Sequence, residues 1–241
     1  MKHILLFLTV IMLTATSCRW FGYKRVVGNG QLTTQERSVS RAERIKLAGS
    51  FDVEITQGPA TSVKVEADEN ILPVILTREE DGFLLIKTKE HYSISTNNPI
   101  KVYITTAKME QLQLAGSGNI IGKNKFTGGD KLTLKIAGSG DIRLEVNTPS
   151  IEAEIAGSGS MTMSGETRDQ RIRISGVGDY NADELKSENA VVKIAGSGNV
   201  KLFAAATLDV NIAGVGSVYY KGSPTIKQHV AGSGEVKKLE P

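Results

Sequence analysis

From about residue 110 to 238, apolar and polar positions alternate with a period of two, and a short glycine motif interrupts them at regular intervals. The motif is aliphatic-Ala-Gly-Ser-Gly or a close variant. Its first glycines are Gly116, Gly138, Gly157, Gly176, Gly196, Gly214 and Gly232, spaced 22, 19, 19, 20, 18 and 18 residues apart. Two residues before each stand Leu114, Ile136, Ile155, Ile174, Ile194, Ile212 and Val230, all aliphatic. Four residues after each stand Ile120, Ile142, Met161, Tyr180, Val200, Val218 and Val236. Alternation of this kind predicts a half-buried strand on either side of the glycines. Each unit therefore reads as strand, Gly-Ser-Gly corner, strand, and a variable connection such as Asn147-Thr148-Pro149-Ser150.

A unit of about twenty residues is the size of one coil of a parallel β-helix. One coil cannot bury its own apolar row, but coils stacked ~4.8 Å apart merge their rows into a continuous core. The fold class predicted is all-β: a single-chain parallel β-helix-like solenoid, right-handed by the general crossover preference. Glycine at the corner permits a sharp bend and close backbone approach. The corner alanines are small for the same reason, and Ser117, Ser139, Ser158, Ser197 and Ser233 are expected to stack as a hydroxyl ladder interrupted by Val177 and Val215. An irregular copy, Leu47-Ala48-Gly49-Ser50-Phe51, lies upstream. Residues 37–110 read as strands with longer connections that cover the N-terminal end of the stack. Residues 111–236 are the regular coils, and 237–241 form a charged C-terminal cap ending in Pro241.

The first residues have a different pattern. Lys2 precedes an apolar run from Ile4 to Leu13, too short for a hydrocarbon core that needs ~20 residues. A short apolar run between a basic residue and small residues predicts a secretory signal over residues 1–17. Ala15-Thr16-Ser17-Cys18 resembles a bacterial lipobox, which implies cleavage before Cys18 and acylation of that residue. Two or more acyl chains anchor a protein stably. Residues 18–36, beginning Arg19-Trp20-Phe21-Gly22-Tyr23-Lys24-Arg25, are read as a flexible tether, with the aromatic side chains suited to a membrane interface. The expected location is the cell envelope, lipid-anchored to the outer membrane.

Composition narrows the function. The chain of 241 residues holds 1 Cys and 3 His, which excludes a disulfide framework and a thiolate metal cluster. A net charge of +3 from 29 basic and 26 acidic residues leaves no electrostatic footprint for nucleic acid. Of 25 glycines, 15 belong to the corner motif, so the glycine surplus is the repeat itself.

The corner repeat, together with Phe51-Asp52-Val53-Glu54-Ile55-Thr56-Gln57-Gly58, Val63-Lys64-Val65-Glu66-Ala67-Asp68-Glu69-Asn70 and Asp81-Gly82-Phe83-Leu84-Leu85-Ile86, resembles the putative auto-transporter adhesin, head GIN domain family. The resemblance runs from about residue 36 to 237. It implies a β-helix-like fold on bacterial envelope proteins, often lipoproteins, and it brings no catalytic residue.

Candidate chemistry is sparse. The third position after each first glycine holds Asn119, Asp141, Ser160, Asp179, Asn199, Ser217 and Glu235. Asp141 and Asp179 are two stacking steps apart, roughly 9.6 Å, near the separation used by inverting glycosidases. Asn, Asp and Ser after a tight turn equally cap backbone donors, and this is the reading adopted. Glu152 and Glu154 form a second acidic pair, with Glu154 between Lys135 and Arg173 in a column of mixed sign, the pattern of a solvated sheet face. No catalytic residue, metal ligand or cofactor is assigned. The chemical role expected is lipidation of Cys18. The function expected is a non-enzymatic, adhesin-like envelope module presenting its faces to a glycan or protein partner. The alternative is a polysaccharide hydrolase or lyase on the same scaffold.

Overall fold

The computed structural model describes residues 22–239. The first strands are β1 (Lys24–Val27), β2 (Leu32–Arg37), β3 (Arg44–Ala48), β4 (Asp52–Gln57) and β5 (Ser62–Asp68). A single 3-10 turn, Leu72–Val74, leads into β6 (Ile75–Glu80), β7 (Phe83–Thr88), β8 (Tyr92–Ser95) and β9 (Lys101–Thr106). The regular part begins with β10 (Gln111–Gly116), β11 (Asn119–Gly122) and β12 (Leu132–Gly138). It continues through the long strands β13 (Asp141–Gly157), β14 (Ser160–Gly176) and β15 (Asp179–Gly196). The last strands are β16 (Val200–Ala204), β17 (Thr207–Gly214), β18 (Val218–Gly222), β19 (Thr225–Gly232) and β20 (Val236–Lys238).

The architecture is the expected all-β solenoid, with about seven turns. The glycine corners stack in strict register: Gly138 pairs Gly157, then Gly176, Gly196, Gly214 and Gly232 in one column. The strands leading into the corner form one face, and the strands leaving it form the other. Inside lie the rows the alternation predicted, among them Leu134, Ala153, Ile172, Val192 and Val210, all fully buried.

The corner packs backbone on backbone. At Gly157 the backbone has φ +136, and an added Cβ would lie 2.3 Å from the carbonyl oxygen of Gly138. Gly159 meets the oxygen of Gly140 at 2.2 Å in the same way. The ladder between corners is also made of backbone. The N–H of Ser158 donates to Gly138 O, and those of Val177, Ser197 and Val215 donate to the oxygens of Gly157, Gly176 and Gly196. The side chains of these residues point to solvent, which is why Val177 and Val215, each 56% exposed, fit there as well as serine. The hydroxyl ladder expected at the corner is thus not what holds it.

Buried hydroxyls stack at the other bend instead. Thr148 pairs Thr167, which pairs Ser187. Their hydroxyls donate to the carbonyls of Gly129, Asp169 and Phe203. A bend takes carbonyls out of the strand ladder, and a buried carbonyl needs a partner.

The irregular copy at Gly49 is a true coil. Through β3 and β4 it pairs directly with β10 and β11, although 62–106 intervene in sequence. That intervening segment folds back to the N-terminal side, where β7 and β9 extend the two faces in parallel. Beyond them β6 pairs antiparallel to β7, and β5 to β9, at this end of the stack. The tether assignment over residues 18–36 needs correction for its described part. Strand β2 pairs antiparallel with β5, and β1 pairs parallel with β8 as a separate two-stranded ribbon, so the ordered body starts before residue 37. Cys18 and the signal segment lie outside the described residues.

Candidate groove on the outer sheet face

Every coil presents its third residue after the first glycine on the outer face leaving the corner. Extending the column through Gly49 adds Asp52, which pairs Asn119, then Asp141, Ser160 and Asp179. The next outward column holds Glu54, Ile121, Arg143 and Thr162. At the N-terminal end of this face the two columns line an open groove of about 410 Å³, bordered also by Lys101.

The carboxylates in the groove are already engaged. Asp141 Oδ1 accepts from the backbone N–H of Ser160 at 3.0 Å and from its hydroxyl at 2.6 Å. Asp52 accepts from the Asn119 amide at 2.9 Å. Glu54 lies 3.4 Å from Lys123. The two cations of the groove, Lys101 and Arg143, make no ion pair among the described residues. Ile121, 39% exposed, supplies an aliphatic patch between them. The groove therefore offers two unpaired donors, carboxylate oxygens held in fixed positions and one apolar contact.

Asp179 lies outside the groove and repeats the same capping bond, accepting from the N–H of Asn199 at 2.9 Å. The turn-capping reading of Asp141 and Asp179 needs correction: each accepts from the coil that follows rather than from its own turn. Asp52 and Asp141 flank Asn119, whose side chain occupies the column between them. Glu152 and Glu154 lie on the opposite side of the corner. Lys135 holds Glu154 at 2.8 Å, as the column predicted. Arg173 instead reaches Glu152 at 3.5 Å, and Lys131 reaches it at 2.6 Å. The Lys131 hydrogen bond is the main cause that keeps the Glu152 carboxyl below its usual range. Among the described residues, no cluster of three or more His, Cys, Asp or Glu is placed to hold a metal.

Lys101 and Arg143 escaped the sequence reading. Arg143 follows Asp141 by two positions and so shares its outward face, a signal present in the alternation. Lys101 enters the groove only because β9 stacks on β4.

A glycine-cornered solenoid closed by antiparallel strands defines a class of β-solenoid domains. The chain belongs to the putative auto-transporter adhesin, head GIN domain family, which matches residues 43–224. Solved structures share the fold. A putative adhesin from Bacteroides fragilis is 22% identical with TM-score 0.84, covering 89% of this chain and all of its own. A putative lipid binding protein from Parabacteroides distasonis is 27% identical with TM-score 0.74, covering 90% of this chain and all of its own. A putative adhesin from Parabacteroides merdae is 22% identical with TM-score 0.72, covering 90% of this chain and 99% of its own. No curated protein matches the sequence.

Proposed function

We propose that this protein is a non-enzymatic binding module of the bacterial cell envelope, lipid-anchored at Cys18 to the outer membrane, that holds a glycan in the groove between Asp52 and Thr162. The observation that carries the reading is the groove's inventory. Lys101 and Arg143 have no ion-pair partner among the described residues, the carboxylates are held rigid by neighbouring coils, and Ile121 is exposed between them. A cleft of this size with a few fixed polar groups and one apolar contact suits one or two sugar rings. The adhesin naming of the family and of its relatives supports binding rather than turnover.

The hydrolase or lyase alternative gains nothing from this geometry, because each aspartate is bonded to the next coil and Asn119 stands between Asp52 and Asp141.

Binding of neutral and acidic envelope oligosaccharides to the full chain tests the proposal. Arg143→Glu with Ile121→Asp should abolish it and leave the unfolding midpoint unchanged. Retention of only an envelope protein, with no oligosaccharide bound, would overturn the glycan assignment. Product release that Asp141→Asn abolishes would overturn the non-enzymatic one. Cys18→Ala should release the protein from the membrane fraction.

A further inference from the structure

We infer that the ribbon β1–β8 is a membrane-docking surface that lays the solenoid against a lipid bilayer bearing anionic headgroups. The inference rests on the anchor at Cys18 and goes beyond it, since an anchor alone sets no orientation.

Tyr23 is five positions after Cys18, and an extended chain spans at most ~3.6 Å per residue, so Tyr23 stays within roughly 18 Å of the acylated residue. The headgroup layer takes up several ångströms of that distance. Among the described elements, β1 is therefore the one tethered closest to the anchor.

In β1, Val26 packs against the core. Tyr23, Arg25 and Val27 alternate with it and face away. Tyr23 is 66% exposed and Val27 61%, and Leu32, just past the following turn, is 52% exposed. Three of the seven large apolar side chains exposed among the described residues thus fall within residues 23–32, at the anchor end of the described chain. On the partner strand Ser93 pairs Arg25 and is itself exposed. Lys24 lies over the Tyr92 ring, 5.7 Å from its centroid.

From Cys18 to Gln35 the sequence contains Arg19, Lys24 and Arg25 and no Asp or Glu. Two nearby carboxylates are engaged, Asp68 with Thr96 and Asn98, and Glu90 with Lys87, while Glu69, whose N–H donates to Gln31 O, is exposed. Aromatic and aliphatic side chains beside cations are the composition that settles at a bilayer interface and is drawn to anionic headgroups. Docked this way, the ribbon carries the contact and the solenoid faces stay in water.

The test uses the full lipidated chain on vesicles of phosphatidylcholine with and without phosphatidylglycerol. Cys18 is the chain's single cysteine, so a second one at Ser93→Cys or Ser158→Cys takes a fluorescent label in turn. Lipid-borne quenchers should quench the label at 93 on anionic vesicles and leave the label at 158, on the corner, bright. Arg25→Gln should reduce the docked-to-free ratio roughly fivefold on anionic vesicles only, whereas Lys24→Gln, on the opposite side of the strand over Tyr92, should change it less. Chain that floats with the vesicles while the label at 93 stays bright would overturn the docking surface and leave the anchor standing. Chain that fails to float would overturn the anchor, and the docking inference with it.

Discussion

The carbonyl oxygen of Gly138 lies where a β-carbon on Gly157 would stand, at 2.3 Å. No real side chain tolerates that separation, and φ at Gly157 is +136 as well. Gly157→Ala should therefore destabilise the stack by about 3 kcal/mol or more, through strain and a backbone clash together. Ser158→Ala, one residue on and exposed, should change stability by less than ~0.5 kcal/mol. Urea unfolding midpoints of the two variants check the contrast.

The lumen contains one polar knot. Tyr180, fully buried, donates to Gln170 Oε1 at 3.3 Å, and Gln170 Nε2 donates to Ser187 Oγ and to the carbonyl of Phe203. Burial pushes the Tyr180 phenol well above its ordinary range, so it stays a neutral donor. Tyr180→Phe leaves one acceptor short and should cost about 1–2 kcal/mol. Gln170→Ala opens a cavity and strands the phenol, and should cost about 2–4 kcal/mol. Chemical denaturation of both variants measures the difference.

Acid should loosen the N-terminal end. Asp68, buried under the turn after β1, accepts from Asn98 Nδ2 at 2.6 Å and Thr96 Oγ1 at 2.7 Å. Those two bonds, the Asn98 amide foremost, hold its carboxyl below the usual carboxylate range. A folded value below the unfolded one adds stability that is complete above the ordinary carboxylate range. That stability drains away as pH falls through the depressed value. Asp68→Asn should be less stable at pH 7 and should lose less stability between pH 7 and pH 3 than the parent. Equal pH dependence in the two proteins would contradict this role.

Amide exchange should be graded along the stack. Strands β13 to β15 are paired on both sides and carry fully buried rows, whereas β19 pairs only β17 and is exposed along most of its length. Local opening follows such differences. Amides of β19 are expected to exchange first and those of β14 last, as read by mass spectrometry of exchanged peptides.

Much of the regular half was legible in the chain. The glycine columns, the aliphatic rows and the Lys135–Glu154 pair follow from the repeat spacing, because parallel in-register stacking puts equivalent positions of successive coils side by side. The partners of Glu152 were not legible. Lys131 and Arg173 reach it diagonally, and long flexible side chains choose partners by free space rather than by register. Strands β1 and β2 were hidden for another reason. They are edge elements exposed on most positions, so they carry no alternation to read.

The sequence by itself determined the coil: its length, its corner, its inward rows and the outward ladder of Asp, Asn and Ser. These are local and repeated, and each copy reinforces the same backbone geometry. Only the tertiary structure decided how the ends are made and where a groove opens. Gly49 sits on Gly116 because the 62–106 excursion folds back and lets two distant segments complete one ladder. That single long-range pairing brings Asp52 and Lys101 beside Asp141 and Arg143, and no spacing along the chain announces it.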